Sequence, residues 1–226
     1  MATTFQRARS DEQRAVRSQA ILDTAAAMLR EMPVADVSLN ELSRRVGLAK
    51  SNVLRYFDSR EAVLLELLLS SSREWLAHLE AELPTAVRRR AGFPRRAAQL
   101  AEAIAASLIE RPVLCDLMSA QAGVLERNVS VEAVTKYKVA ALADVERFTQ
   151  LVRDALPELS EDEAWRYMVG AWVMTAALWA HSRPPAAVVQ ACAADARLES
   201  MKIDFQATLE DHLTTLAIGL HARGQL

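Results

Sequence analysis

The sequence predicts an all-α fold, and three observations support that prediction. Apolar residues make up 51% of the 226-residue chain, whereas only six Gly and seven Pro interrupt it. Ala, Leu, Arg and Glu dominate, as they do in proteins built from long packed helices. No run of residues has the alternation and β-branched content of a strand. A chain of this length buries a substantial core and fits one or two domains.

The first predicted helix belongs to an N-terminal head. Residues 1–9 are expected to be ragged, and a capping box at residues 10–13 opens a helix that runs to about Met32. Pro33 ends this helix because proline cannot continue it. The apolar positions of the helix recur at helical spacing and should cover the two helices that follow: Ile21, Leu22, Ala25, Met28 and Leu29.

A helix, a tight turn and a second helix are predicted between residues 38 and 60. Ser38 and Glu41 form a capping box, and Gly47 stands where a left-handed C-terminal residue is required. The second helix spans about two turns, and its apolar residues are Val53, Tyr56 and Phe57. A helix-turn-helix of this kind can insert its second helix into the major groove of DNA.

Polar side chains of this unit are the candidate DNA contacts. Those at the start of the second helix would meet base edges, whereas Arg and Tyr would reach phosphates. The eight candidates are Ser38, Asn40, Lys50, Ser51, Asn52, Arg55, Tyr56 and Arg60. Short helical hairpins are common in all-α proteins, so the spacing alone leaves a simple packing hairpin as an alternative.

Residues 47–64, GLAKSNVLRYFDSREAVL, resemble the signature of the TetR (tetracycline-repressor-like) family of transcriptional regulators. That signature runs Gly-Val-Ser-x-Gly-Thr-Leu-Tyr-x-His/Tyr-Phe-x-Ser-Lys-Glu-x-Leu, and its glycine, aromatic and basic positions fall here in the same register. The resemblance implies a DNA-binding domain over residues 1–58 and an effector-binding and dimerisation domain over residues 59–226. It also implies a homodimeric repressor that leaves its operator when a small molecule binds the body.

The chain departs from the signature at several positions. Ala49 replaces the serine that caps the second helix, so Ser51 is expected to cap one turn later. Leu54 replaces a tyrosine that often touches the DNA backbone, and Arg55 is expected to supply a phosphate contact instead. Arg60 keeps the positive charge of the usual lysine. These departures leave the operator sequence open, but not the DNA binding.

Charge is distributed unevenly along the chain, whose net charge is −2. Residues 1–60 carry ten Lys and Arg against seven Asp and Glu, and the remainder carries seventeen against twenty-two. A basic head on an acidic body suits phosphate contacts at one end, although so small an excess also fits random scatter. The arginines at residues 88–90 and 95–96 could also contact nucleic acid, but if the fourth helix runs away from the head they lie at its far end, and a solvated surface is then the favoured interpretation.

The sequence predicts no cofactor, metal site or membrane segment. Cys115 and Cys192 lie far apart among apolar residues, and the four histidines are scattered. The longest apolar stretch, residues 168–180, is shorter than the roughly 20 residues that span a bilayer. The N-terminus is polar and rich in Arg, unlike a secretory signal. We therefore expect a cytoplasmic protein.

Seven helices are predicted for the body. The first five starts are marked by Ser or Pro, and several of the ends by Pro. The expected spans are residues 59–83, 94–109, 112–124, 130–156, 160–181, a short helix within 187–198, and 203–221.

A pocket for the effector is expected among helices four to eight, as the resemblance implies. Pockets of this kind are mostly apolar with a few polar groups, so the expected effector is an apolar or aromatic molecule. The candidate lining residues are Trp75, Met118, Tyr137, Phe148, Met168, Trp172, Met174 and Thr175. Each of them also suits an ordinary core.

Two apolar stripes are candidates for a dimer interface. Trp165, Trp172 and Trp179 recur every seven residues and share one face of their helix. In the family the last two long helices of each subunit form a four-helix bundle with the partner, in a self-complementary interface. The candidate interface residues are Trp179, Leu209, Leu213, Leu216 and Leu220. A stripe that fills the core of one subunit is the alternative.

The alternatives to a DNA-binding regulator are a helical-bundle enzyme and an adaptor protein without DNA binding. A di-metal bundle enzyme would need Glu-x-x-His pairs, and the chain contains none. Neither a Gly-x-Ser-x-Gly motif nor a phosphate-binding glycine loop is present. The sequence therefore favours a non-enzymatic, DNA-binding regulator, and it leaves open the operator, the effector, the regulated genes and the choice between repressor and activator.

Overall fold

The computed structural model describes the backbone of residues 2–127 and 129–224, and the side chains of residues 12–127, 129–198 and 201–224. Every regular element in these ranges is helical, which confirms the predicted fold class. The chain divides into two compact units. The first comprises Met1–Ser70 and Ala120–Lys138, and the second comprises Ser71–Ser119 and Val139–Leu226.

The first unit contains the head. Helix α1 (Ala2–Leu29) packs on α2 (Leu39–Val46), and α2 contacts the short α3 (Lys50–Val53). The five apolar residues of α1 that the sequence singled out are all buried, as expected. The core of the head consists of Ile21, Leu22, Ala25, Met28, Leu29, Val34, Val37, Leu42, Val53 and Phe57.

The first helix begins earlier than the sequence predicted. It starts at Ala2, so residues 2–9 are helical rather than ragged, and Ser10 lies inside the helix. Residues 2–9 contain neither Gly nor Pro, and the Ala, Gln and Arg among them favour a helix. The predicted capping box pairs Ser10 with Gln13, and the Ser10 side chain lies outside the described residues, so the box stays a prediction. At the other end the helix stops at Leu29, ahead of Pro33.

The remaining helices follow the predicted order. Their starts are close to the predicted ones because local caps define them: the Ser59 and Ser130 hydroxyls accept backbone N–H groups, and Ser160 forms a complete capping box with Glu163. The helices are α4 (Arg60–Ala86), α5 (Phe93–Ile109), α6 (Pro112–Ala120), α7 (Val131–Ala155), α8 (Glu161–Ser182), α9 (Ala186–Ala194) and α10 (Phe205–Arg223).

In the second unit, α10 packs against both α5 and α8. Its inward residues are buried: Phe205, Leu209, Leu213, Ala217 and Leu220. At Gly170 helices α8 and α10 come so close that an added methyl group would overlap the Leu216 side chain. Among the described residues, none of the helices combines the length and the apolar character that crossing a bilayer requires.

Candidate nucleic-acid interface

Both ends of α2 are fixed by local interactions. The Ser38 hydroxyl accepts the backbone N–H of Glu41 at 3.2 Å. At the other end Gly47 has φ 74°, in the left-handed region that other residues rarely adopt. The Leu48 backbone N–H donates to the Ser43 carbonyl at 3.0 Å and closes the helix. The predicted start and end of α2 are thereby confirmed.

A complete capping box requires the Glu41 carboxylate to accept the Ser38 backbone N–H, but here the carboxylate has other partners. It accepts hydrogen bonds from Arg44 at 2.6 and 2.8 Å and from Arg45 at 2.8 Å. These hydrogen bonds lower the pKa of the Glu41 carboxyl to about 2. Arg45 also donates to Glu31 at 2.6 Å, which ties α2 to the segment that follows α1. The reciprocal half of the predicted box was therefore wrong, because two adjacent guanidinium groups compete for the carboxylate.

The recognition helix α3 begins at Lys50, after Ala49 in the N-cap position. The Ala49 methyl group cannot accept a hydrogen bond, so no N-cap side chain pairs with the free backbone N–H groups at the start of α3. The prediction that Ser51 caps the helix was wrong, because Ser51 is already the second helical residue. Backbone hydrogen bonds continue the turn from Lys50 as far as Phe57, so the folded segment has about the predicted two turns.

The outer surface of α3 is polar and accessible. Lys50, Ser51, Asn52 and Arg55 are exposed, and none of their side chains has a hydrogen-bond or ion-pair partner among the described residues. At the start of α2, Ser38 and Asn40 are also exposed. These six candidates are thus available to a ligand of the head. Since Val53 and Phe57 are buried beneath them, the helix is held with its polar face outward.

Arg14 of α1 joins this surface, although sequence reasoning missed it. Its guanidinium donates to the Arg55 carbonyl at 3.4 Å and lies 5.8 Å from the centre of the Tyr56 ring. Tyr56 itself is half-buried. The only signal in the sequence was the Arg-rich start of α1, which does not say which arginine reaches the recognition helix.

Arg60 differs from the other predicted contacts because the head partly encloses it. Its side chain is 21% exposed and lies 3.8 Å from the Glu61 carboxylate. One guanidinium nitrogen donates to the Val34 carbonyl at 2.7 Å, while Nε is buried and no described residue hydrogen-bonds to it. Arg60 therefore connects the start of α4 to the segment between α1 and α2.

The structure brings together only some of the predicted effector-pocket residues. Trp75 and Phe148 meet edge to face with their ring centres 5.1 Å apart, and the Trp75 indole N–H donates to the Ser107 hydroxyl at 2.9 Å. Met118, Met168 and Thr175 are buried and Trp172 and Met174 half-buried, whereas Tyr137 belongs to the other unit. None of the eight lines the cavities of about 430, 530 and 310 Å³ described in the second unit.

The predicted dimer residues lie mostly inside the subunit. Trp179, Leu209, Leu213 and Leu220 are buried within the chain, and only Leu216 is partly accessible. Four of the five therefore cannot present a surface to a second copy. The reason is that α10 packs between α5 and α8, so its apolar stripe is covered by its own chain.

The three tryptophans of α8 lie in three different environments. Trp165 is 48% exposed, Trp172 is half-buried, and Trp179 is 3% exposed. The Trp179 ring packs edge to face on Phe205, its N–H donates to Asp116 at 2.6 Å, and the Arg183 guanidinium lies 3.9 Å from the ring centre. Equal spacing along a helix therefore did not give equal surroundings.

Family models match nearly all of the chain. Residues 21–67 match the family described as bacterial regulatory proteins, tetR family, and residues 69–224 match the tetracyclin repressor-like C-terminal domain. The chain belongs to the TetR family of transcriptional regulators. Proteins of the TetR family are generally non-enzymatic; they bind DNA operators and small-molecule ligands and act as dimers.

Individual relatives are more distant. EthR, an HTH-type transcriptional regulator of Mycobacterium tuberculosis, is 44% identical over 52 residues, which are 23% of this chain and 24% of EthR. The chain thus aligns with about a quarter of the length of the curated relatives it matches.

Solved structures of the TetR family share the fold. A TetR transcriptional regulator from Rhodococcus sp. RHA1 has a TM-score of 0.55 at 15% identity and covers 91% of this chain and 95% of its own. The regulator FadR from Bacillus subtilis, solved in complex with stearoyl-CoA, has a TM-score of 0.55 at 13% identity and covers 89% of this chain and 98% of its own. Identities this low establish a common fold only.

Proposed function

We propose that this protein is a homodimeric, DNA-binding transcriptional repressor that releases its operator when a small molecule binds the body. The observation that carries the proposal is the recognition helix of a TetR-type head, whose Lys50, Asn52 and Arg55 side chains are exposed and have no partner among the described residues. Free donors on an outward helix face are what reading DNA requires. Such a regulator acts where the bacterial chromosome lies, in the cytoplasm, and it needs no catalytic residue.

The exposed residues divide into two roles. Lys50, Ser51 and Asn52 lie at the start of α3, the part of a recognition helix that approaches base edges. Asn52 suits adenine and Lys50 suits guanine, because their donors and acceptors match those base edges. Arg55 and Tyr56 follow the other end of α3, where Arg14 of α1 contacts them, and a phosphate contact there would position the helix. Ser38 and Asn40 would support the backbone contact from the start of α2.

The test is a binding assay with duplex DNA that flanks the protein's own gene, carried out at several salt concentrations. Arg55→Ala should weaken binding to every sequence and reduce the salt slope by about one unit. Asn52→Ala should instead relax base preference at one position of the half-site. Arg90→Ala, which removes an exposed arginine of the second unit, serves as the control and should leave both unchanged.

Failure to bind this DNA, with the fold intact, would favour the adaptor interpretation. Loss of affinity from Arg90→Ala as large as that from Arg55→Ala would indicate a diffuse charge effect rather than a recognition helix.

A second copy would pack on the outward face of α8 and α10. On α8 this face is apolar and accessible: Trp165 and Val173 are 48% and 58% exposed, and on α10 Ile218 is 41% exposed. On α8 Val169 lies between Trp165 and Val173, and the small Ala176 and Ala177 that follow would let a partner helix come close. A four-helix interface of this kind would set the two recognition helices about 34–36 Å apart, or slightly more, for one palindromic site.

Two buried hydroxyls of α8 support a ligand site in the body. Thr175 is 1% exposed and Tyr167 is fully buried, and neither hydroxyl has a hydrogen-bond partner in the part of the chain that the structure describes. A buried polar group without a partner costs about 1–3 kcal/mol, so a ligand that supplies the missing hydrogen bond would gain that amount. Thr175 was a predicted pocket residue, whereas Tyr167 was not. The effector proposed is an apolar or aromatic molecule with one or two polar groups.

Thr175→Val tests the effector site with little change of shape. A thermal-shift screen of apolar compounds should yield stabilising hits whose effect falls in Thr175→Val and which weaken DNA binding by the wild type. Thr149→Val is the matched control, because the Thr149 hydroxyl already donates to the Val145 carbonyl at 2.8 Å. Hits that stabilise all three proteins equally and leave DNA affinity unchanged would contradict a regulatory site at Thr175.

A further inference from the structure

The arginines between α4 and α5 are not a uniformly solvated surface. Arg96 is only 8% exposed. Its guanidinium donates to the Ala91 carbonyl at 3.0 Å, to the Arg89 carbonyl at 3.4 Å and to the Glu158 carboxylate. Its Nε is buried and has no hydrogen-bond partner among the described residues. The sequence-based interpretation of this run as a solvated surface was therefore wrong for Arg96, which is built into the second unit.

Arg96 lies at the wall of a cavity of about 310 Å³. Arg89 and Arg153 are in the same wall, together with Asp154, Ala155 and Pro157. Three arginines that belong to three separate segments of the chain thus border one space. Their positive charges favour an anion in that space.

A second cavity, of about 430 Å³, continues from the first along α4 and α7. The two share Arg89, Asp154 and Ala155 in their walls. The walls of the second cavity are mainly apolar, with Leu83, Pro84, Val87 and Leu151 among them. The two cavities form one groove, which is mainly apolar along α4 and α7 and is lined by arginines at one end.

The charges along this groove leave a positive excess at the arginine end. Glu80 pairs with Arg147 at the apolar end, and Glu158 pairs with Arg96. Arg89 and Arg153 have no ion-pair partner among the described residues, and Asp154 accepts a hydrogen bond from Gln150 at 2.7 Å. An anion bound there would meet Arg89 and Arg153, neither of which has an ion-pair partner among the described residues.

We propose that this groove binds an amphiphilic small molecule, with its carboxylate or phosphate group between Arg89, Arg96 and Arg153 and its apolar part along Leu83, Val87 and Leu151. The cavities fall in the size range of small-molecule sites, about 300–1,000 Å³. Arginine suits both head groups because its planar donors match their oxygens. The site is separate from the one proposed around Thr175, and it requires only binding, not control of DNA affinity.

Calorimetric titration of the full-length protein with four probes tests the proposal. Decyl phosphate and decanoate, used below their micelle concentrations, should bind, whereas decanol and inorganic phosphate should bind at least about tenfold more weakly because each lacks one half of the ligand. Arg89→Gln and Arg153→Gln should each lower the affinity for decyl phosphate by about three- to tenfold. Neither side chain donates a hydrogen bond within the described structure, so both variants should fold.

Arg90→Gln is the matched control, because Arg90 belongs to the same arginine run but lies outside both cavity walls. It should leave the affinity for decyl phosphate unchanged. Leu151→Gln should lower that affinity without changing the affinity for inorganic phosphate. Equal binding of inorganic phosphate and decyl phosphate would overturn the proposal that the ligand is amphiphilic. If Arg90→Gln lost as much decyl phosphate affinity as Arg89→Gln and Arg153→Gln, the proposal of a localised site would be overturned. Loss of duplex DNA affinity in Arg89→Gln and Arg153→Gln, with decyl phosphate binding intact, would overturn it in favour of a nucleic-acid contact.

Discussion

The recognition helix α3 and the long helix α8 were both singled out by side chains that recur along one helix face, yet only one of them presents those residues as expected. On α3 the polar residues Lys50, Asn52 and Arg55 are exposed. On α8 the tryptophan stripe divides, with Trp165 at the surface and Trp179 in the core. A pattern of polar residues indicates the direction of solvent, whereas a pattern of apolar residues indicates only that something covers them.

The difference has a physical cause. A charged or amide side chain is costly to bury without partners, so a polar face of a short helix nearly always points outward. An apolar face gains the same free energy whether its cover is the chain's own helix or a second subunit. For α10 the cover is α5 and α8 of the same chain, and nothing in the spacing of its leucines distinguishes this from a dimer seam.

The largest effect is expected from Leu213→Glu. Leu213 is fully buried, so the variant places a carboxylate in the subunit core at a cost of about 3–5 kcal/mol. We expect loss of the cooperative unfolding of the body, seen as a much lower and broader thermal transition by circular dichroism. A well-folded monomer in sedimentation experiments would instead show that Leu213 faces a partner.

A smaller effect on folding, but a full effect on assembly, is expected from Val173→Glu. Val173 is 58% exposed on α8, so the charge remains solvated in the single subunit and becomes buried only in the proposed dimer. Sedimentation should give a helical, folded monomer where the wild type gives a dimer. Val188→Glu on α9, where Val188 is 47% exposed, is the control and should remain dimeric. A dimeric Val173→Glu would move the interface to another face.

Helix boundaries in the body were predictable because they depend on residues next to one another. Ser160, for example, forms the capping box with Glu163, and Pro112 begins α6, as the sequence indicated. The start of α1 was not predictable in this way, because residues 2–9 contain no residue that stops a helix. A capping motif can lie inside a longer helix when the preceding residues also favour it.

The candidate DNA surface was predictable as far as the motif reaches. The contact of Arg14 with Arg55 and Tyr56 spans about forty residues of sequence, and no local pattern indicates it. Tyr167 was overlooked for a similar reason: only the packed core shows that its hydroxyl lacks a partner. Both residues depend on the tertiary structure rather than on spacing.

Arg60→Ala and Arg55→Ala distinguish a residue that supports the head from one that contacts DNA. Arg60 donates to the Val34 carbonyl at 2.7 Å, so its removal should lower the free energy of unfolding by about 1 kcal/mol. Its effect on the salt slope of DNA binding should be smaller than that of Arg55→Ala, which should leave stability unchanged. If Arg60→Ala lowers the slope by about one unit and leaves stability unchanged, the phosphate role implied by the family signature is correct.

The smallest expected effect is a pH dependence at Glu41. The hydrogen bonds from Arg44 and Arg45 lower the pKa of its carboxyl from 4.5 to about 2 in the folded chain. Because the folded pKa is the lower one, the hydrogen bonds between Glu41 and the two arginines stabilise the fold above about pH 4.5, and this stability is lost as the pH falls towards 2.

Glu41→Gln removes the charge and keeps the backbone N–H that Ser38 caps. The thermal midpoint of Glu41→Gln should lie below that of the wild type at pH 6–8, and the gap should narrow below pH 4.5. Glu74→Gln, an exposed position on α4 without an ion-pair partner among the described residues, should show no such convergence. A gap that stays constant or widens on acidification would mean that Glu41 acts through its shape rather than its charge.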